Sequence, residues 1–160
     1  MMTKTQIGLT DKARQGVAKL LNVLLADEYL LYTQTRNYHW NVVGPRFHDL
    51  HKFFEAQYEE VDEFIDQVAE RVRALGGNSA GSLGEFLELA RNKESSGLPR
   101  DAQGMVGSLL ATHEALIRNL RSDLEKADEF GDAGTSDFLT GLMEQHEKMA
   151  WMLRATLERG

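Results

Sequence analysis

Cysteine is missing from all 160 residues. That excludes thiolate metal sites, Cys-x-x-Cys redox chemistry and disulfide staples, and it agrees with a reducing cytoplasm. Long apolar runs are missing as well. None approaches the roughly 20 residues that a membrane-spanning helix needs, and the first residues lack the apolar core of a signal peptide. The expected location is cytoplasmic, with no membrane partner. Positive charge is in deficit, with 18 Lys and Arg against 25 Asp and Glu, for a formal charge of −7. Such a surface attracts cations and repels phosphate backbones unless a basic patch is segregated on it.

Proline occurs only twice, and the chain is rich in Leu, Ala, Glu and Arg, a composition of helix formers. Its length suits a single domain, residues 1–160 with 1–9 as a short N-terminal tail, able to bury a core unaided. Four long segments carry apolar residues at helical spacing. The first opens at the N-cap Thr10 and keeps Val17, Leu21, Leu24, Leu31 and Tyr38 on one face to about residue 40, where the Gly44-Pro45 turn breaks it. The second runs from about Arg46 to Leu75 along Phe47, Leu50, Phe54, Tyr58, Val61, Ile65, Val68 and Val72. Gly76 suits a left-handed cap after it. The third covers roughly 101–127 and the fourth roughly 135–157. Ser82 and Glu85 form a capping box for a short helix to about Asn92, between the second and third. The expected fold is all-α, a four-helix bundle with a short helix in the connection between helices 2 and 3.

Three of the five histidines fall within residues 39–51. Many di-iron bundles build their site from Glu-x-x-His pairs within one chain. Three residues before the five histidines stand Arg36, Pro45, His48, Leu110 and Met143, so that pattern is absent. On the second helix, with His51 as zero, Glu55, Asp62, Asp66 and Glu70 fall at about 40°, 20°, 60° and 100°, a polar stripe flanking the apolar one. His51 with Glu55, and Asp66 with Glu70, form two pairs about 22 Å apart along a straight helix. Bonds to a metal are about 2 Å long, so the pairs cannot share an ion within one chain. They can share one if a copy of the helix lies antiparallel across a two-fold axis near residue 60, which gives two identical sites per dimer. His39, at the end of the first helix, can approach His51 through the short turn. Two imidazoles with carboxylates suit iron and, less exclusively, zinc or manganese. Against this, acidic residues on a helix often only face solvent, and a histidine at a helix end is often structural. Phe53 and Phe64 point away from the apolar stripe and leave aromatic surface for a partner chain.

The stretch "YHWNVVGPRFHDLHKFFEAQYEEVDEFIDQVAERVRALGG" resembles the signature of the Dps miniferritins, DNA-binding proteins from starved cells. "GDAGTSDFLTGLMEQHEKMAWML" is similar to that family's last long helix, and the resemblance covers nearly the whole chain. It implies a ferritin-like bundle that assembles as a dodecamer, a hollow shell with a ferroxidase site at each two-fold interface. Carried over, His39, His51 and Glu55 come from one subunit and Asp66 and Glu70 from its neighbour. Trp40 matches a tryptophan beside the site, thought to take up oxidising equivalents, with plain interface packing the other reading. Glu55 departs from the family's usual aspartate. Asp132 and Asp137 match positions that resemble a three-fold pore lining, or serve as helix-start charges. Glu59, Asp62 and Glu63 are candidates for nucleating mineral, or form a solvated face.

The activity so implied is oxidation of Fe(II) to Fe(III), preferably by hydrogen peroxide, with storage of the ferric mineral and protection against oxidative stress. DNA binding is expected to be weak or absent, and nucleoid association with it. The tail offers only Lys4, Lys12 and Arg14, while twelve copies at −7 each come to about −84 formal charges. The alternative reading is a DNA-protecting or structural shell whose metal positions are unoccupied or zinc-filled.

Overall fold

The structure, a computed structural model, describes residues 5–94 and 96–158. Lys4 lies outside the described residues. Five helices follow in order: α1 (Asp11–Asn41), α2 (Phe47–Ala74), α3 (Leu83–Leu89), α4 (Ala102–Glu129) and α5 (Ala133–Leu157). No strand occurs among the described residues. α1 packs antiparallel along α2, and α4 along α5. The two hairpins join into a four-helix bundle through α1 on α4 and α2 on α5, with α3 laid on α1.

Local chemistry explains the helix ends. The Thr10 hydroxyl accepts the Ala13 N–H at 3.1 Å and the Asp101 carboxylate accepts the Gly104 N–H at 2.8 Å, so orphan donors at two N-termini are satisfied. Ser82 and Glu85 form the expected capping box of α3. Gly76 stands at φ +81°, the left-handed conformation in which a glycine carries no Cβ penalty.

α3 stops at Leu89, three residues before the expected end. The cause is non-local. The Asp27 carboxylate of α1 accepts the backbone N–H groups of Arg91 at 2.7 Å and Asn92 at 3.2 Å. The Arg91 guanidinium then bridges Asp27 at 2.7 Å and grips Asp123 of α4 with two bonds at 2.9 and 2.8 Å. Both carboxylates are buried, so one arginine clamps the crossover onto both hairpins.

Two expectations for α2 are corrected. Phe64 does not point away from the core. It is 7% exposed, with its ring centre 5.3 Å from that of His146, and Phe53 is half-buried against the core. α2 touches α5 as well as α1, so its buried face is wider than a stripe drawn for one neighbour. Phe47, placed in that stripe, is 44% exposed and lies against His51 instead.

Candidate metal centre

The Gly44-Pro45 turn returns α2 antiparallel to α1 and sets His39 against His51. The two rings stack with centres 3.8 Å apart and 17° between planes. His39 Nδ1 lies 2.8 Å from the His51 carbonyl oxygen, and His51 Nδ1 lies 2.8 Å from the His39 carbonyl oxygen. A carbonyl oxygen only accepts, so each Nδ1 carries a hydrogen and donates it. In the neutral ring the lone pair then sits on Nε2, for both residues. This is the outer-shell device that fixes a ligand histidine's tautomer and orientation.

Glu55 stands one turn beyond His51 and is half-buried. Lys52 Nζ donates to its Oε2 at 2.7 Å. That hydrogen bond lowers the Glu55 pKa; partial desolvation opposes it, and the charges of Lys52, His39 and His51 add to it. The shift keeps Glu55 ionised one turn along α2 from the stacked imidazoles.

Asp66 and Glu70 are exposed on the same helix, about four turns further along. Asp66 shares a surface hollow with Asp62 and Glu63. Within one chain they are not brought to His51, and among the described residues no three His, Asp or Glu side chains gather closely enough to hold a metal ion. Trp40 is 64% exposed, and the Arg36 guanidinium sits 5.1 Å from its ring centre.

Two further acidic groups separate. Asp132 is buried, and one oxygen accepts from the Thr135 N–H at 3.0 Å and from Arg71 at 3.0 Å while the other accepts the Thr135 hydroxyl at 2.6 Å. Its carboxylate starts α5, as the helix-start reading expects. Asp137 is exposed and, with Glu59, Glu60 and Glu63, lines a groove of about 780 Å³ between α2 and α5. Asp62 faces the Asp66 hollow instead. Of the tail cations, Arg14 is committed to the Leu75 carbonyl at 2.9 Å and to Asp11 at 2.6 Å.

The bundle interior holds a polar run that the motif search passed over. His146 Nε2 lies 2.8 Å from Glu28 Oε1, and His146 Nδ1 lies 3.1 Å from His113 Nδ1. All three residues are fully buried. Each sits in an apolar register, as Glu28 does between Leu24 and Leu31, and that misplaced polarity is the signal a sequence search could use. Burial, and then the charge on His146, push the His113 pKa well below its ordinary value. Folded His113 therefore stays neutral where an unfolded chain, at about 6.5, takes up a proton. Stability from this group is complete above pH 6.5 and drains at up to about 1.4 kcal/mol per pH unit below it, until the depressed folded pKa is reached. Urea unfolding at pH 7.5 and 5.5 is expected to show that loss, and His113→Asn to reduce it.

Comparison with known proteins now defines the class. Residues 18–160 match the ferritin-like domain, and the chain belongs to that family. Relatives more particular than that include DNA protection during starvation proteins and solved Dps structures. The DNA protection during starvation protein 2 of Bacillus anthracis is 38% identical over 143 residues, covering 89% of this chain and 97% of that one. The Dps crystal structure from Vibrio cholerae, described as a member of a broad superfamily of ferritin-like diiron-carboxylate proteins, superposes with TM-score 0.89 at 34% identity over 99% of both chains. An uncharacterized low temperature-induced protein of Nostoc is 56% identical over 158 residues, 98% of this chain and 88% of its own length. No helix among the described residues is long and apolar enough to cross a membrane.

Proposed function

We propose that this chain is a ferroxidase and iron store. It acts as a single ferritin-like domain, cytoplasmic and assembled into a dodecameric shell, with its sites shared between chains across two-fold interfaces. The observation that carries the reading is the reciprocal lock of His39 and His51, which leaves Nε2 as the lone-pair nitrogen of both neutral rings, with Glu55 one turn along α2. The lock ties the end of α1 to the start of α2 and leaves Nε2 as the nitrogen that suits a cation.

Iron enters as substrate. His39, His51 and Glu55 of one chain hold ferrous ions together with Asp66 and Glu70 of the next, and the incoming cation displaces Lys52 from Glu55. Two ferrous ions each give one electron to hydrogen peroxide. Its O–O bond breaks, and two solvent protons complete two waters. Dioxygen serves as a slower oxidant. The carboxylates offset the charge gained at the metal, while the redox step belongs to iron. Zinc and manganese compete for the same donor set. Ferric product gathers as mineral on acidic surface such as the groove of Glu59, Glu63 and Asp137. DNA binding is weak or absent, because the net charge is −7 and Arg14 is already engaged.

The test is anaerobic addition of ferrous iron, then peroxide, followed by near-ultraviolet absorbance. Wild type is expected to give a fast ferric signal, and His51→Ala only the rate seen in buffer. Equal rates for the two would sink the reading and favour the shell without iron chemistry.

A further inference from the structure

Three of the four tyrosines stand in one file that begins at the His39 imidazole. Tyr58 meets His39 edge-on with ring centres 5.2 Å apart. Tyr32 follows at 6.1 Å from Tyr58, and Tyr29 at 5.8 Å from Tyr32. The file ends on Phe86 of α3, stacked on Tyr29 at 4.4 Å. Tilted and stacked contacts are ordinary aromatic packing. The content of this file is not ordinary: consecutive phenols lead away from a candidate iron ligand and stop at a ring that is much harder to oxidise. The Arg36 guanidinium lies 4.6 Å from the Tyr58 ring centre and 5.6 Å from that of Tyr32, and it donates to the Tyr32 hydroxyl at 2.8 Å.

We propose that Tyr58, Tyr32 and Tyr29 form an electron relay that supplies the iron site when it holds a single ferrous ion. The inference rests on the iron-oxidising reading. Hydrogen peroxide accepts two electrons, and one ferrous ion supplies only one. Tyr58 gives the other. The O–O bond breaks, iron becomes ferric, and the phenol becomes a neutral phenoxyl radical. The phenol's proton and one proton from solvent complete two waters. Tyr32 then reduces Tyr58, and Tyr29 reduces Tyr32, so the oxidised position moves away from the metal. Each of the three phenols is half-buried, so its proton has a route to water.

Arg36 gives this file an advantage over Trp40, whose ring it also covers at 5.1 Å. An oxidised indole that keeps its proton sets a positive ring against the guanidinium, reversing the cation–π attraction. A phenol sheds its proton on oxidation and avoids that repulsion. Without the relay, a two-electron oxidant meeting one ferrous ion takes its second electron from whatever lies nearest.

The experiment uses the assembled protein, charged anaerobically with one ferrous ion per chain, mixed with hydrogen peroxide and frozen. Electron paramagnetic resonance reads the phenoxyl radical, and absorbance reads ferric product in the same samples. Wild type is expected to give a tyrosyl signal. Tyr58→Phe, which keeps the ring, is expected to lose most of the signal per ferric ion formed, while Tyr38→Phe keeps it. An undiminished ratio in Tyr58→Phe overturns the relay. Ferric product in wild type with no phenoxyl signal also overturns the relay and leaves iron oxidation standing. Absence of ferric product in wild type overturns both.

Discussion

Co-expressed in equal amounts, His51→Ala and Glu70→Ala chains are expected to regain about a quarter of wild-type ferrous oxidation, although either variant alone is inactive. The proposed sharing of each site between two chains sets this number. With random pairing, about half of the two-fold pairs are mixed. In a mixed pair one site collects both defects, and the other receives His51 from the Glu70→Ala chain and Glu70 from the His51→Ala chain. That second site is whole. A centre built within one chain gives no recovery, because every chain then carries a defect in its own site. The measurement is the initial rate of ferric absorbance after anaerobic loading, with mass spectrometry confirming that both chains share particles. Mixed particles as inert as the parents would end the shared-site reading.

Arg91→Ala is the second large effect expected, and it falls on stability. The substitution leaves Asp27 and Asp123, 0% and 2% exposed, without the Arg91 cation that bridges them. Removing one partner of a buried ion pair costs about 3–5 kcal/mol, because an uncompensated charge remains in the interior. Arg91→Lys is expected to recover little, since an ammonium cannot make the forked contact to Asp123 while also reaching Asp27. The combination Asp27→Asn with Asp123→Asn in the Arg91→Ala background is expected to restore part of the loss, because no buried charge is then left unpaired. Urea midpoints at pH 7 and one protein concentration decide it. A midpoint for Arg91→Ala within error of wild type would show the clamp to be incidental.

The clamp also marks where sequence reading stops. Local rules found the capping box at Ser82 and Glu85 and the left-handed Gly76, because every group involved lies within a few residues of the others. The end of α3 was missed by three residues because it is set by Asp27, 64 positions from Arg91. Phe64 falls on open surface when α2 has a single apolar stripe, whereas in the bundle α2 touches two helices. Asp132 is legible as a helix-start charge, whereas its contact with Arg71, 61 positions away, is not. At the candidate site, the approach of His39 to His51 is legible because a short turn joins their helices. The exchange of Nδ1 hydrogens for opposite carbonyls, which fixes Nε2 as the free nitrogen, required coordinates. Glu28, His113 and His146 were invisible to a search for ligand spacings, since their relationship crosses three helices.

The mutual anchoring of His39 and His51 is complete inside a solitary subunit, whereas on the proposed reading the acids that complete the site sit on somebody else's helix. On that reading a lone chain owns two anchored imidazoles without the means of turnover. Dilution is then expected to act as a brake, with specific activity falling as particles come apart and no side chain's chemistry changed.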